Sequence, residues 1–246
     1  MRNKYEKMIR DFSQFGIELS DDQLNKFNKY YELLTEWNKV MNLTAITEFD
    51  EVCKLHFTDS ISGCKYFDFS SSDISLIDIG TGAGFPGIPL KIVFPGLHVT
   101  LLDSLQKRLN FLDEVIRELN LNEEGSIETL HGRAEDYCLF KENSLRETFD
   151  VAVSRAVANM ATLSEYCLPY VKVGGHFIAY KSEKAQEELK AAKGAIHLLG
   201  GKLLCTEEFN LPDTDISRTI CIVEKKEPTS RRYPRKAGVP AKNPLS

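Results

Sequence analysis

A chain of 246 residues with 42% hydrophobic and 27% charged residues has the balance of an ordinary folded domain, which excludes wholesale disorder. A net charge of −5 speaks against a protein that coats nucleic acid, and no run of about 18 apolar residues is present to span a membrane. The polar start Met1–Lys7 lacks an apolar secretion segment, and the six cysteines form no C-x-x-C pair, so a cytoplasmic protein with free thiols, without a metal and without a membrane partner, is expected.

In chain order, residues 1–70 read as a helical extension. Leu24, Phe27, Tyr31, Leu34 and Trp37 recur at spacings of three and four and predict one apolar stripe, with Ser20 to Gln23 as its capping box. The polar run Ser70-Ser71-Ser72-Asp73 marks the boundary to a second unit, residues 71–226, where short apolar segments alternate with helical ones. Strands are predicted at 74–79, 99–103, 127–130, 149–153, 176–180, 202–205 and 219–224, with long helices at 106–119 and 183–199 between them. This alternation specifies an α/β, Rossmann-like, mostly parallel sheet of seven strands with helices on both faces. The last two strands lack a long connecting helix and are expected to pair antiparallel, giving one reversed strand at the edge. Residues 227–246 form a basic tail. From Lys225 onward, seven Lys and Arg face a single acid, so this segment carries +6 and the remainder −11.

The first strand ends at Asp78 and runs into Gly80, Gly82, Gly84 and Gly87, with Pro86 and Pro89 where a helix begins. Such a loop lets a ligand approach the backbone and offers it free amides at a helix start. Gly82 to Gly87 also spells G-x-G-x-x-G, so a nicotinamide-dependent enzyme is a rival reading. A carboxylate at Asp78 would repel pyrophosphate and suits the cationic methionyl ammonium of S-adenosylmethionine. Asp103, 23 residues after Gly80, stands where ribose hydroxyls lie in this architecture, or is a solvated strand end. Ala134 and Glu135 follow the third strand, where adenine would rest, or they cap a helix.

The fourth strand delivers Ser154-Arg155-Ala156 to the carboxyl edge of the sheet, beside the expected methyl. Neither the Asn/Asp-Pro-Pro-aromatic turn of exocyclic amine methylation nor the cysteine nucleophile of pyrimidine carbon-5 methylation occurs here. An acceptor that is already nucleophilic, such as guanine N7, needs no general base and only positioning. No catalytic base is therefore expected. Arg155 would hold the methionyl carboxylate, the guanine or a phosphate, or make a surface salt bridge. Cys167 reads as a buried apolar residue, and the five histidines show no metal-ligand spacing. Asn42, His56 and Asp59 lie near a possible acceptor pocket, although packing is the favoured reading there.

Residues 37–44 (WNKVMNLT), 56–60 (HFTDS), 78–89, 101–104, 132–135, 153–156 and 235–240 (RKAGVP) together resemble the bacterial ribosomal RNA small-subunit methyltransferase G family, also called glucose-inhibited division protein B. The resemblance covers nearly the whole chain. It implies a class I methyltransferase fold and N7 methylation of one guanine in 16S ribosomal RNA, as naked RNA or in a small-subunit particle, with S-adenosylmethionine as cofactor. Cofactor contacts carried over by the resemblance are Gly80, Phe85, Ala134, Glu135 and Arg155; the loop itself adds Gly82 and the second strand Asp103. The resemblance also favours RNA contact for the tail, whose prolines are expected to hold it extended with Arg231, Arg232, Arg235 and Lys236 displayed.

Overall fold

The structure, a computed structural model, describes residues 2–71, 73–139, 144–182 and 185–246; Ser72 of the expected boundary and Glu183 at the expected helix start lie outside these. At the N-terminal end, α1 (Glu6–Ser13) leads into α2 (Asp21–Met41). The capping box forms in full: Ser20 Oγ accepts the Gln23 amide, and the Gln23 side chain accepts the Ser20 amide. Two donors that helix geometry leaves orphaned are thereby satisfied. The buried face of α2 is broader than the expected stripe. Tyr30 and Leu33 are buried with Leu24, Phe27 and Leu34, whereas Tyr31 and Trp37 are half-buried. The helix packs on more than one neighbour, Tyr30 against Phe57, Phe85 and Phe111 and Tyr31 against Phe49. Next, α3 (Phe49–Val52) passes through a π-helical turn (Cys53–Thr58) into α4 (Asp59–Ile61).

All seven expected strands form: β1 (Ser75–Ile79), β2 (His98–Asp103), β3 (Ile127–His131), β4 (Phe149–Arg155), β5 (Val171–Lys181), β6 (Gly201–Asn210) and β7 (Ser217–Lys225). Their order is β3-β2-β1-β4-β5-β7-β6. The first five run parallel, and β7 is antiparallel to both β5 and β6. The reversed strand therefore sits at the expected end of the sheet, one place in from its margin. β5 starts at Val171, earlier than its apolar core at 176–180, because Val171 pairs with Phe149 across an irregularity of register. Lys172 and the Gly174-Gly175 pair interrupt the alternation that would have revealed it.

Side-chain alternation along the strands builds two cores, as a period of two requires. Leu76, Val99, Leu101, Val151, Val153, Ile178, Ile220 and Ile222 face one side. There they meet α5 (Gly87–Val93), α6 (Gln106–Glu118) and the N-terminal helices in a single cluster. Ile77, Ile79, Leu102, Ala152, Phe177, Ala179, Cys221 and Val223 face the other side, covered by α7 (Met160–Cys167) and α8 (Ala185–Leu198). The strand order reverses between β1 and β4, and in open α/β sheets the crevice at the carboxyl ends of such a pair takes the ligand.

The chain beyond β7 does not extend into solvent as its prolines suggested. The Arg146 guanidinium gathers the carbonyls of Cys138, Thr229, Ser230 and Tyr233, and a short α9 (Val239–Lys242) seats Pro240 in the body. A buried carboxylate is the reason: Glu165 of α7 has no exposed side-chain surface, and Arg235 supplies its charge partner at 2.6 Å. An unpaired charge there would be strongly destabilising.

Candidate active site

The glycine loop is held from beneath. Asp78 is fully buried; its Oδ2 accepts Thr81 Oγ1 at 2.8 Å and the Gly87 amide at 2.9 Å, while its Oδ1 has no hydrogen-bond partner among the described residues. Desolvation pushes its carboxyl up to about 6 against the pull of those donors and of Arg155. Asp78 was expected to face a ligand ammonium; instead the loop closes over it, because its oxygen is what ties Thr81 and Gly87 into a tight turn. The Gly82 amide donates to Asp103 Oδ2 at 3.0 Å, the Tyr30 hydroxyl donates to the Ala83 carbonyl, and Ser154 Oγ donates to the Ile79 carbonyl at 2.7 Å. Strand ends β1, β2 and β4 and helix α2 are thus all bonded to one loop.

A cleft of about 310 Å³ opens at the switch point, lined by Gly80, Asp103, Ser104, Ala134, Glu135, Val157 and Tyr166, among others. Gly80 has φ +72°, and a Cβ there would lie 2.6 Å from Val157 Cγ2, so only glycine leaves this wall of the cleft open. Asp103 is buried, its oxygens already accepting the Leu105 and Gly82 amides and Arg108 Nη1. A carboxylate has roughly four lone-pair sites, so one remains for a hydroxyl. Gly80, Asp103, Ala134 and Glu135 are therefore brought together, whereas Gly82 braces Asp103 from behind and Phe85 and Arg155 lie elsewhere.

Arg155 belongs to a second cavity, also about 310 Å³, lined by Leu55, His56, Asp59, Arg155, Ala156, Tyr180, Lys181, Ser182 and Arg218, and Phe85 packs against its Arg155 and His56 without lining it. The π-helical turn and α4 bring His56 and Asp59 to it. Asp59, 4% exposed, joins two guanidiniums: Oδ2 accepts Arg155 Nη1 at 3.0 Å and Oδ1 accepts Arg218 Nε at 2.9 Å. The Arg155 guanidinium lies 5.0 Å over the Phe85 ring, and His56 stacks on the same ring at 4.5 Å. Burial and the adjacent Arg155 depress His56 to about 4, so the ring is neutral near pH 7. Arg155 Nη2 approaches its Nδ1 at 3.4 Å, which leaves Nε2 to donate to Thr44 Oγ1 at 2.8 Å. Asn42 is an exposed left-handed helix cap and lines neither cavity. Ala156 and Val157 sit on the wall between the two spaces, Ala156 with φ +57° and the following Ala158 carbonyl held by Lys181 Nζ at 2.8 Å. Backbone of this kind clusters at ligand sites.

A cofactor-sized cleft at the switch point, separated by one short loop from a cation-lined cavity, is the layout of a group-transfer enzyme with two substrates. The sequence pattern of the GidB family, rRNA small subunit methyltransferase G, matches residues 23–217. A ribosomal RNA small subunit methyltransferase G of Lachnoclostridium phytofermentans is 52% identical, covering 96% of each chain. Its counterpart in Acetivibrio thermocellus is 50% identical over 97% of this chain and 96% of its own. This chain belongs to the GidB family. Among solved structures, a variant of MtNAS matches with a TM-score of 0.52 at 16% identity, covering 84% of this chain and 75% of its own, a likeness of fold alone.

In this family member, several site residues escaped the sequence reading. Arg218 arrives from β7, Tyr30 from α2 and Tyr166 from α7, each too far along the chain from the motifs for spacing to connect them. Lys181, one residue past the expected end of β5, had a signal in its strand-end position. Cys167 is fully buried in α7, matching its apolar reading. Among the described residues no cluster of three or more His, Cys, Asp or Glu is suited to a metal, and no helix is long and apolar enough to cross a membrane.

Proposed function

We propose that the protein methylates N7 of a guanine in 16S ribosomal RNA of the small ribosomal subunit, in the bacterial cytoplasm, with S-adenosylmethionine in the switch-point cleft. The residues present fit that cofactor. Gly80, Ala134 and the backbone between them leave room for a nucleoside; Asp103 offers its remaining lone pair to ribose; Glu135 and Tyr166 flank the space for adenine. The buried carboxylate of Asp78 sets negative charge beneath the cleft, with one oxygen unpartnered among the described residues, beside Asp103, which is paired with Arg108. This favours a cationic ligand and opposes a pyrophosphate, against the nicotinamide rival. When bound, S-adenosylmethionine supplies an electrophilic methyl on a positively charged sulfur.

The observation that carries the acceptor is the second cavity. Arg155, Lys181 and Arg218 line it against two carboxylates, Asp59 on its wall and Glu188 paired with Lys181 at 2.6 Å, so it keeps a net positive charge and suits an anionic nucleotide. Guanine N7 has an unprotonated lone pair and would accept the methyl that the cofactor supplies, leaving the positive charge on the base. No proton leaves, so no base is needed, and a neutral His56 stacked on Phe85 is no obstacle. The chain contributes alignment: Asp59 fixes Arg155 and Arg218, Lys181 fixes the loop between the cavities, and in-line positioning of this kind is worth about 7 to 11 kcal/mol.

Mapping N7-methylguanine in 16S RNA from cells with and without the protein tests this reading. One 7-methylguanine is expected to disappear with the protein, and an unchanged pattern refutes the activity. Calorimetric titration with S-adenosylmethionine and with NAD tests the cleft, where binding of NAD alone would favour the rival.

A further inference from the structure

The segment after β7 reaches the cofactor cleft from behind. Glu135 lines that cleft and is 4% exposed, and its Oε1 accepts the Gly238 amide at 2.8 Å across a sequence separation of 103 residues. Gly238 has φ +82° and starts the turn into α9, where the Pro240 carbonyl accepts Thr162 Oγ1 at 3.1 Å. On the other side of the turn, Arg235 grips Glu165 with Nε and Nη2, and its own amide donates to Glu165 Oε1 at 2.7 Å. Thr162 and Glu165 are both on α7, so the turn that presents the Gly238 amide is fixed to that helix at both ends. A glutamate at the wall of an open cleft has several accessible rotamers, and its terminal torsion is broad. One amide donor aimed at Oε1 selects a single orientation and leaves Oε2 for a ligand.

We infer that this C-terminal turn is a positioning element of the cofactor site: the Gly238 amide sets the Glu135 carboxylate so that its second oxygen accepts a hydrogen bond from the adenine. The inference rests on the S-adenosylmethionine reading of the cleft and adds to it a role for residues 235–240. Gly238 is the place to test it. A Cβ there meets nothing closer than Arg133 Nη1 at 3.8 Å, so space is not limiting and only the left-handed backbone is demanding. Valine resists that conformation, whereas asparagine tolerates it. With valine the turn cannot keep both the amide on Glu135 and Pro240 on Thr162.

The probe is S-adenosylhomocysteine, titrated by calorimetry into the full chain and into Gly238→Val, Gly238→Asn, Glu135→Gln and the Gly238→Val/Glu135→Gln double variant, with thermal unfolding to verify folding. Gly238→Val is expected to weaken binding about tenfold, the scale of one hydrogen bond to a charged group. Gly238→Asn should stay within about threefold of the unsubstituted chain. In the Glu135→Gln background the valine should cost little more, since the carboxylate it positions is gone. Equal binding by Gly238→Val and the unsubstituted chain overturns the inference, as does an equal loss from valine in both backgrounds, which would mark general support of the fold. Failure of the unsubstituted chain to bind would instead fault the cofactor reading itself.

Discussion

Asp78 shows how one residue can be recognised and still be misplaced. Its position before the glycines was legible, because a carboxylate at the end of the first strand is a one-dimensional signal. Its burial was not, because that depends on Gly87 and Thr81 folding back over it. The consequence is measurable. A carboxyl raised from its ordinary 3.8 to about 6 is held more readily protonated when folded than when unfolded. The contribution of Asp78 to stability is therefore fully present below about 4 and is lost as pH rises through about 6, by on the order of 3 kcal/mol. A cationic ligand above it favours the ionised form. Affinity for S-adenosylmethionine is accordingly expected to rise with pH through about 6 and to level off above, with proton release on binding near the midpoint. Calorimetry across pH 5 to 8 checks this, and Asp78→Asn should flatten the profile; a pH-independent affinity of the unsubstituted chain would mean that the carboxylate does not sense the ligand.

At the scale of elements, the π-helical turn (Cys53–Thr58) explains why His56 and Asp59 looked like packing. An apolar stripe is legible only at a constant helical period, and a wider turn shifts every residue after it to another face. Such turns occur often at functional sites, and this one brings Asp59 between Arg155 and Arg218. Helix α2 hides a similar surprise, since its Tyr30 is fully buried with its hydroxyl on the Ala83 carbonyl of the loop. Asp59→Asn removes the charge that aligns both guanidiniums. It is expected to lower kcat/KM for 16S RNA about ten- to a hundredfold, the worth of one or two charge-assisted hydrogen bonds. Affinity for S-adenosylhomocysteine should stay within about twofold, since Asp59 lines only the second cavity. Steady-state kinetics and calorimetry on the same variant separate the two. Tyr30→Phe tests the other element: it strands a buried carbonyl, which costs about 1 to 3 kcal/mol of stability, read as a lowered unfolding midpoint in denaturant.

For the whole molecule, the strands were legible because two-sided burial writes apolar runs such as Phe177–Tyr180 and Ile220–Val223, and the intervening helices fix parallel order. The docking of residues 227–246 was not, because composition reports five cations and is blind to a buried glutamate waiting on another helix. This changes how an acidic protein meets RNA. With −11 on residues 1–224, phosphate attraction must be local, and Arg235 is already committed to Glu165. Arg232 and Lys236 are on the docked segment, Arg232 exposed and Lys236 with its charge free to reach solvent. Replacing both by alanine is expected to weaken binding of 16S RNA and to reduce the slope of log affinity against log salt by about one unit for each phosphate no longer neutralised. Arg235→Ala should behave differently, because the glutamate it leaves unpaired is buried: about 3 to 5 kcal/mol of stability is lost, and the unfolding midpoint falls before any salt slope is affected. Filter binding at several salt concentrations, beside thermal unfolding of each variant, separates these outcomes. If Arg232 and Lys236 left the slope unchanged, the phosphate contacts would have to come from other cations, those of the second cavity among them.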